Sequence, residues 1–293
     1  MKKTLDWNKY SRFSLQKPFD FAKNSSIGCG GFAAAIFYPH SVAEWIALME
    51  ELDKDGIRYY VLGNLTNVLP PDGVSDCVIV STKRVDGIAV GDNVFIYAGV
   101  TSGALLRACK REGRSGAEFL IGIPCTIGGA LYMNAGAGGK HLADIVENVM
   151  VFRGGKKQML SLKDCEYGYK HSAFLENQDV ILGATLRLDK AEVEEICQAE
   201  EYYLSRRTHL PKGKSMGCVF KNPKDAFAGE LIERSGLKGL RIGKAKISEE
   251  HANFIINEGG ATSSDVKALI TLVKNAVRSQ YGIVLEEEIR YLT

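Results

Sequence analysis

The sequence predicts an α+β protein with two or three lobes, and three observations support this fold class. Its 293 residues exceed the length of one average domain. Strand-like and helix-like segments follow one another without the regular spacing of a doubly wound α/β sheet. Glycine-dense tracts interrupt these segments, and the longest is GIPCTIGGALYMNAGAGG at 122–139. Such backbone is typical of close approach to a flat or anionic ligand.

The first predicted elements are a helix and a strand. Ser41 and Glu44 have the spacing of a capping box, the apolar residues after them recur at helical spacing, and Gly56 ends the helix. A β-prone run at 57–62 stops abruptly at Gly63. Further elements are predicted as strands at 78–80, 88–90 and 94–99, a helix at 102–113, and mainly strands over 146–188.

The rest of the chain divides into a connecting segment and a last lobe. The segment 190–207 is charged and helix-prone, and we interpret it as a solvated linker helix that joins two lobes. The last lobe is predicted to contain a helix at 225–235, β-prone runs at 240–247 and 254–257, a capped helix at 262–281 and a closing strand at 285–292.

Amino-acid composition and net charge argue against several classes of function. Apolar residues make up 45% and charged residues 25%, which is typical of a soluble globular protein. A net charge of +2 gives no case for nucleic-acid or membrane binding. Seven cysteines without a CxxC pair favour a reducing compartment over a disulfide scaffold, and neither cysteines nor histidines have metal-site spacing. We therefore expect a cytoplasmic protein without a metal; the basic N-terminus has no apolar signal-peptide core.

Two glycine motifs are candidates for ligand binding. The turn Gly63–Asn67, GNLTN, directly follows a strand, and its backbone N–H groups could converge on an anion. Taken alone, a plain strand-to-loop turn is the favoured interpretation. The tract 122–139 is a stronger signal, because its regularly recurring Ile, Leu and Met residues argue against a flexible linker.

Two further motifs carry reactive side chains. Lys170 lies among aromatic residues in 167–174 and could hold a carboxylate or an enolate, or could snorkel from an edge strand. Cys218 lies in GCVFKNP at 217–223, where neighbouring lysines would lower the pKa of the thiol, or it is an inert buried cysteine.

The acidic run LEEEIR near the C-terminus also has two interpretations. Along a strand, Glu286 and Glu288 would share one side and Glu287 would point to the other. One of them could face a site, or the run could be a solvated face.

Together and in this order, these motifs resemble those of the UDP-N-acetylenolpyruvoylglucosamine reductase family in its short form. GIPCTIGGALYMNAG resembles the family's GIPGTVGGAxxMNAG, GYKHSAF resembles YRxSxF, and GCVFKNP resembles GSxFKNP. The segment 228–257 and the terminal LEEEIR also resemble family motifs. The resemblance implies a PCMH/VAO-type module with FAD-binding lobes at 1–80 and 81–189. A substrate-binding lobe at 200–285 and a C-terminal strand at 286–293 that returns to the active site would complete the chain.

The activity implied is reduction of UDP-N-acetylglucosamine enolpyruvate to UDP-N-acetylmuramate in peptidoglycan precursor synthesis, with NADPH as reductant and FAD as cofactor. The family roles map to Lys170 as the cation at the substrate carboxylate, Glu288 as its acidic partner, and Cys218 as proton donor to the carbanion. The expected substrate-binding residues are Tyr169, Lys212, Lys221 and Asn222. The expected cofactor-binding residues are Gly63, Asn64, Leu65, Thr66, Asn67, Gly122, Ile123, Pro124, Thr126, Gly128, Gly129, Ala130, Asn134 and Gly136.

The chain departs from the family pattern at four places. Cys218 replaces Ser, Lys170 replaces Arg, Cys125 replaces Gly, and GNLTN replaces GxGSN. A thiol is a better acid than a hydroxyl, whereas Lys loses the planar fork with which Arg grips a carboxylate. The alternative function is a non-catalytic paralogue that binds FAD or the nucleotide sugar and acts as a sensor. We expect a monomer.

Overall fold

The structure is a computed structural model, and it describes residues 6–292. The described chain divides into two compact units, each with its own hydrophobic core. Unit 1 comprises 6–19, Ala34–Gly63 and Asp76–Ser205. Unit 2 comprises Asp20–Ala33, Asn64–Ser75 and 206–292. The division into lobes expected from the sequence stays a prediction.

Strands and helices mix along the whole described chain, as an α+β fold requires. The strands are β1 (Leu15–Gln16), β2 (Phe19–Asp20), β3 (Phe32–Ala33), β4 (Ala35–Phe37), β5 (Tyr59–Leu62), β6 (Val68–Leu69), β7 (Val78–Ser81), β8 (Ile88–Val90), β9 (Val94–Tyr97), β10 (Arg114–Ser115), β11 (Gly136–Ala137), β12 (Lys140–His141), β13 (Val146–Arg153), β14 (Lys156–Ser161), β15 (Val180–Leu186), β16 (Asp189–Lys190), β17 (Arg241–Ile242), β18 (Ala245–Ile247), β19 (Ile255–Asn257) and β20 (Arg290–Tyr291). The helices are α1 (Phe21–Asn24), α2 (Val42–Asp55), α3 (Ser102–Arg111), α4 (Ile127–Tyr132), α5 (Val193–Ser205), α6 (Ala228–Arg234) and α7 (Ser263–Tyr281).

Unit 1 contains a four-stranded sheet of order β1-β4-β7-β5, in which β4, β7 and β5 are parallel and β1 is antiparallel. All four residues of β7 are buried, as in a strand that is covered on both faces. Helix α2 begins after Ser41, whose side chain accepts a hydrogen bond from the Glu44 N–H, and ends at Gly56 with φ 66°. The predicted capping box forms on one side only, because the Glu44 carboxylate accepts from the His40 N–H instead.

A second sheet in unit 1 has the order β14-β13-β15-β9-β8 and is antiparallel throughout. Strands β13, β14 and β15 confirm the prediction that 146–188 consists mainly of strands with turns between them. Helix α3 packs beside this sheet, and its N-terminal N–H groups are capped by the Thr101 hydroxyl.

The interpretation of 190–207 as a solvated linker was wrong. Helix α5 belongs to unit 1, where Ile196 is buried and the Tyr203 ring packs against the core. Glu200 forms an ion pair of 2.7 Å with Lys110 of α3. The charged residues that indicated a linker are the exposed face of a docked helix, whose other face carries Ile196 and Tyr203.

Unit 2 contains the antiparallel sheet β17-β18-β19 and the helices α6 and α7. Helix α7 starts with a full capping box between Thr262 and Asp265 and ends at Gly282, as predicted. The predicted closing strand is reduced to β20, which is parallel to β6, and to a bridge between Glu287 and Phe220. Within residues 6–292, no helix combines the length and the apolarity needed to cross a membrane.

Candidate active site

The glycine tract of unit 1 bends tightly against the end of β9 before α4. The Ile127 N–H donates to the Val100 carbonyl at 2.7 Å, and the Gly128 N–H donates to the Ala98 carbonyl at 2.9 Å. A Cβ on Gly128 would lie 2.8 Å from the Ala98 Cβ, so this glycine is required by the packing of the loop itself. Gly129 faces outward and is exposed. An exposed glycine in a helix costs about 1 kcal/mol relative to alanine, and this cost indicates a functional reason for an open backbone.

The turn after β5 contacts this tract. A Cβ on Gly63 would lie 2.0 Å from the Thr126 Oγ1, and real Cβ atoms essentially never approach closer than 3.0 Å. The two glycine motifs that the sequence singled out separately are therefore adjacent in unit 1. Cys125, beside them, is buried in the core of unit 1 rather than exposed on the loop surface, so the replacement of the family's Gly leaves the open side of the loop unobstructed.

Two buried hydroxyls beside Gly63 lack hydrogen-bond partners among the described residues. They belong to Thr126 and Thr82, which are 1% and 4% exposed. Thr82 directly follows β7, and its N–H donates to the Leu62 carbonyl at 3.0 Å. An unsatisfied buried hydroxyl costs about 1–3 kcal/mol, so a pair of them at one edge of a sheet is explained by a polar ligand.

Sequence reasoning missed Thr82. A signal was available, because Thr82 follows a strand that begins with three apolar residues, and ligands in sheets with parallel strands bind beyond the carboxyl ends of those strands. The glycine turn and the two hydroxyls thus form a polar cradle at the end of β5 and β7. The cradle has no room for a larger residue at Gly63, because a Cβ there would collide with the Thr126 side chain.

Left-handed backbone is concentrated at the predicted site residues. Among the described residues, five that are not glycine have positive φ, and three of them are Leu65 (52°), Asn134 (44°) and Lys170 (50°). Leu65 stands where the family motif GxGSN has its second glycine, and its positive φ is a conformation that glycine adopts readily. Such conformations cost about 1–3 kcal/mol each and collect at functional sites.

Lys170 is presented by a tight turn in unit 1. The N–H and carbonyl groups of Gly168 and His171 bond reciprocally at 3.1 and 3.2 Å, which leaves Tyr169 and Lys170 at the tip. Tyr169 is half exposed, with its ring edge-on to His141. The Ser172 hydroxyl fixes the turn by donating to the carbonyl of Tyr132 in α4 at 2.6 Å.

Asn134 links this turn to the glycine tract. Its Nδ2 donates to the Gly168 carbonyl at 2.8 Å, and its Oδ1 accepts from the Ala143 N–H at 3.0 Å. The side chain that was expected to offer a polar edge to the cofactor is thus engaged in holding the Lys170 turn. Glycine is also required at position 136 by local packing, because a Cβ there would lie 2.2 Å from the Lys140 carbonyl oxygen in the β11–β12 hairpin.

Cys218 and Glu288 are brought together in unit 2. Residues 218–221 form an extended segment, and the Glu288 N–H donates to the Val219 carbonyl at 2.8 Å. Phe220 bridges Glu287 in antiparallel register, so Glu288 lies opposite Val219, the residue that follows Cys218. Both Cys218 and Glu288 are partly exposed. The predicted acid and the predicted carboxylate therefore lie on neighbouring paired segments.

The second half of the GNLTN turn supports this pair. The Asn67 Nδ2 donates to the Glu288 carbonyl at 3.1 Å, and the Asn67 carbonyl accepts from the Arg290 N–H at 2.9 Å. The motif therefore serves two places: Gly63 packs on Thr126 in unit 1, and Asn67 fixes the backbone of Glu288 in unit 2. Sequence reasoning expected cofactor contact from Asn67 and missed this positioning role.

The acidic run alternates as predicted. Glu286 forms an ion pair of 2.5 Å with Lys221, whereas Glu287 binds Lys274 at 2.7 Å and accepts a hydrogen bond from the Tyr291 hydroxyl. Burial, followed by the hydrogen bond to Glu287, raises the pKa of the Tyr291 hydroxyl. The side of the run that carries Glu287 is thus structural, which leaves Glu286 and Glu288 on the other.

The remaining predicted substrate residues lie in unit 2. The Asn222 Oδ1 accepts from the Ala228 N–H at 3.0 Å and so caps α6. Lys212 is exposed in the loop that precedes the Cys218 segment. No cluster of metal-binding side chains occurs in the part of the chain that the structure describes.

The comparisons with known proteins agree with this geometry. Residues 33–156, which contain the cradle, match the FAD binding domain family, and residues 208–292 match the family described as "UDP-N-acetylenolpyruvoylglucosamine reductase, C-terminal domain". A cradle of close-packed glycines with two unpartnered hydroxyls suits a cofactor of this kind. The chain is an FAD-dependent oxidoreductase with an α+β fold and an FAD-binding domain, as predicted.

Whole-chain relatives define the family. The UDP-N-acetylenolpyruvoylglucosamine reductase of Geobacter metallireducens is 39% identical over 273 residues, which are 92% of this chain and 91% of the relative. That of Caldicellulosiruptor saccharolyticus is 36% identical over 275 residues, with 90% and 87% coverage. The crystal structure of the Thermus caldophilus enzyme superposes with a TM-score of 0.83 at 32% identity and covers 96% of this chain and 100% of that one. The chain belongs to the UDP-N-acetylenolpyruvoylglucosamine reductase family.

Proposed function

We propose that this chain reduces UDP-N-acetylglucosamine enolpyruvate to UDP-N-acetylmuramate in peptidoglycan precursor synthesis, with the three catalytic residues Lys170, Cys218 and Glu288. The observation that supports this assignment best is the pairing of the Glu288 backbone with Val219, which joins the segment that carries Cys218 to the segment that carries Glu288 in unit 2. Family membership supplies the reaction class.

The cradle in unit 1 is the proposed FAD site. Gly63 and Gly129 would allow close approach of the cofactor, and the Thr126 and Thr82 hydroxyls would find in it the hydrogen-bond partners that they lack. FAD, when bound, supplies the hydride that comes from NADPH. The other expected cofactor residues surround this cradle in the sequence and stay part of the proposal, with Asn134 acting by holding the Lys170 turn.

The protein's own residues manage charge and protons. Delivery of a hydride to the terminal carbon of the enolpyruvyl group leaves negative charge on the next carbon and on its carboxylate. Lys170 would stabilise that charge, and Glu288 would share in holding the carboxylate. The Cys218 thiol would then donate its proton to the carbanion, which completes the addition of hydride and proton across the double bond.

Lys221 is the first residue that we assign to the substrate anions. The Lys221 ammonium now pairs with Glu286, whose side chain is 72% exposed. Exposed pairs are worth about 0–1 kcal/mol, so a phosphate could replace the glutamate at little cost. Lys212 and Tyr169 would supply a second cation and an aromatic surface. Asn222 would keep its cap on α6 and bind substrate through its remaining hydrogen-bonding capacity.

The cell compartment and the oligomeric state complete the proposal. None of the seven cysteines forms a disulfide within the described residues, which is typical of the reducing cytoplasm. We expect a monomer, because the proposed residues all come from one chain. Size-exclusion chromatography with light scattering distinguishes a monomer of 32.1 kDa from a dimer.

The test separates the two half-reactions. Under anaerobic conditions, NADPH is added first to FAD-replete protein, and the bleaching of the flavin is followed; the nucleotide sugar is then added, and recovery of the flavin colour is followed. An enzyme bleaches and recovers, and forms UDP-N-acetylmuramate. Binding of the nucleotide sugar without recovery would instead identify a sensor and contradict the proposal.

A further inference from the structure

A buried asparagine outside the predicted site holds the segment that carries Cys218. Asn253 lies just before β19 and is 3% exposed. Its Oδ1 accepts from the Phe220 N–H at 2.9 Å, and its Nδ2 donates to the Phe220 carbonyl at 2.8 Å. The Asn253 side chain therefore makes the two hydrogen bonds to Phe220 that the backbone of a neighbouring strand would otherwise make.

The backbone of the same region completes the attachment. The Asn253 carbonyl accepts from the Val219 N–H at 2.8 Å, and Phe254 bridges Cys218 in antiparallel register. Three backbone groups of this segment, the Val219 N–H and the N–H and carbonyl of Phe220, are thus fixed from this one side, while the Val219 carbonyl accepts from the Glu288 N–H on the other. Asn253 directly precedes Phe254, which lies opposite Cys218 in the register.

His251 fixes Asn253 in turn. The His251 Nδ1 accepts a hydrogen bond from the Asn253 N–H at 3.2 Å, so this nitrogen carries no proton. Burial, and then the charge that the neighbouring His209 can carry, lower the pKa of the His251 imidazole. Gly229 leaves room for the ring, because a Cβ there would lie 3.2 Å from the His251 Cε1.

We infer that His251 and Asn253 form a positioning clamp for Cys218, in which Asn253 holds the backbone on both sides of Phe220 and His251 orients Asn253. This inference rests on the proposed role of Cys218 for its consequence in turnover, but the clamp itself is a property of unit 2. Neither residue is expected to touch the reacting atoms, so they are positioning residues.

Asn253→Asp is the direct test, because it keeps the size and the acceptor but replaces the donor to the Phe220 carbonyl by an oxygen and adds a negative charge, as the matched control also does. The first readout is alkylation of Cys218 by iodoacetamide, followed by mass spectrometry, with Cys197 of α5 as internal reference. We expect the Cys218 rate to change by roughly threefold or more, as a displaced thiol would, and the Cys197 rate to stay constant. The second readout is the rate of each half-reaction, measured separately. We expect substrate reduction to slow by about tenfold or more and flavin reduction by NADPH to stay unchanged.

Asn257→Asp is the matched control. Asn257 is also a buried asparagine of unit 2, and its Nδ2 donates to the Ile27 and Gly28 carbonyls while its Oδ1 accepts two N–H groups. Its substitution removes equivalent bonds away from the Cys218 segment and is expected to leave Cys218 alkylation unchanged. Equal effects of Asn253→Asp and Asn257→Asp would show general loosening and overturn the clamp.

His251 provides a second test if Asn253→Asp does not fold. An asparagine at 251 can accept from the N–H two residues later, as in an Asx turn, whereas leucine cannot. We therefore expect His251→Asn to keep the Cys218 alkylation rate and His251→Leu to change it. An unchanged rate in His251→Leu overturns the inference. If alkylation changes but substrate reduction does not, the clamp holds and the catalytic role of Cys218 is wrong.

Discussion

The contact between Gly63 and Thr126 gives the sharpest prediction for cofactor binding. In Gly63→Ala the new Cβ would lie 2.0 Å from the Thr126 Oγ1 and 3.0 Å from its Cβ and Cγ2, whereas ordinary contacts start at 3.4 Å. The strand-end turn and the glycine tract must therefore separate, and FAD binding must pull them together again. Overpacking of this kind costs about 1–3 kcal/mol, which weakens FAD binding by roughly 5- to 150-fold.

The assay is fluorescence titration of the apoprotein with FAD. Gly91→Ala is the control, because a Cβ there would meet only the Asn93 carbonyl oxygen at 3.6 Å, and its FAD affinity should equal that of the wild type. In a Thr126→Ala background the clash is mostly removed, so adding Gly63→Ala should cost much less than it does in the wild type. The reasoning is refuted if Gly63→Ala binds FAD as tightly as the wild type, or if its cost is the same in both backgrounds.

Four other substitutions test the chemistry and the stability. Cys218→Ser should keep turnover within about tenfold and Cys218→Ala should lose about 10²–10⁴-fold in the substrate half-reaction; equal rates would exclude Cys218 as proton donor. Glu288→Gln should slow substrate reduction by about 10²–10³-fold and leave flavin reduction by NADPH nearly unchanged, and a parallel loss in both would make Glu288 structural. Lys170→Arg should retain activity that Lys170→Met loses, as measured by substrate-dependent NADPH oxidation; similar rates for the two would remove Lys170 from the reaction. Asp72→Ala should lower the free energy of unfolding by about 1 kcal/mol at pH 7, measured with urea, because Asp72 caps the first N–H groups of α7. Burial acts to raise the pKa of the Asp72 carboxyl, but hydrogen bonds from the Ser264 hydroxyl and from these N–H groups outweigh it and lower the pKa. The advantage of Asp72 is therefore complete above the usual carboxyl pKa and should disappear as the pH falls through the lower pKa of the folded state; a difference that persists at pH 2 would contradict this.

The sequence predicted elements well where local signals decide them. The spacing of Ser41 and Gly56 defined α2, and that of Thr262 and Gly282 defined α7, because caps and glycine stops act within a few residues. Helix α5 was found but misplaced, since the docking of its Ile196 face depends on a partner far along the chain.

The site shows the same limit. Motifs identified Gly63, Lys170, Cys218 and Glu288, because family patterns are continuous in sequence. The Thr82 hydroxyl and Asn253 were given no role by sequence reasoning, although Asn253 lies in the family-like segment 228–257, because the burial of that hydroxyl and the hydrogen bonds of Asn253 to Phe220 are visible only in the fold. A sequence shows which donors are present, but only the fold shows which of them are already used.

The direct test of the central claim is the cofactor content of the purified protein. The account predicts that heat-denatured protein releases about one FAD per chain, identified by chromatography, and that apoprotein regains it when titrated. Protein that is colourless, releases no FAD and cannot be reconstituted would contradict the claim that the cradle of Gly63, Thr82 and Thr126 holds a flavin dinucleotide.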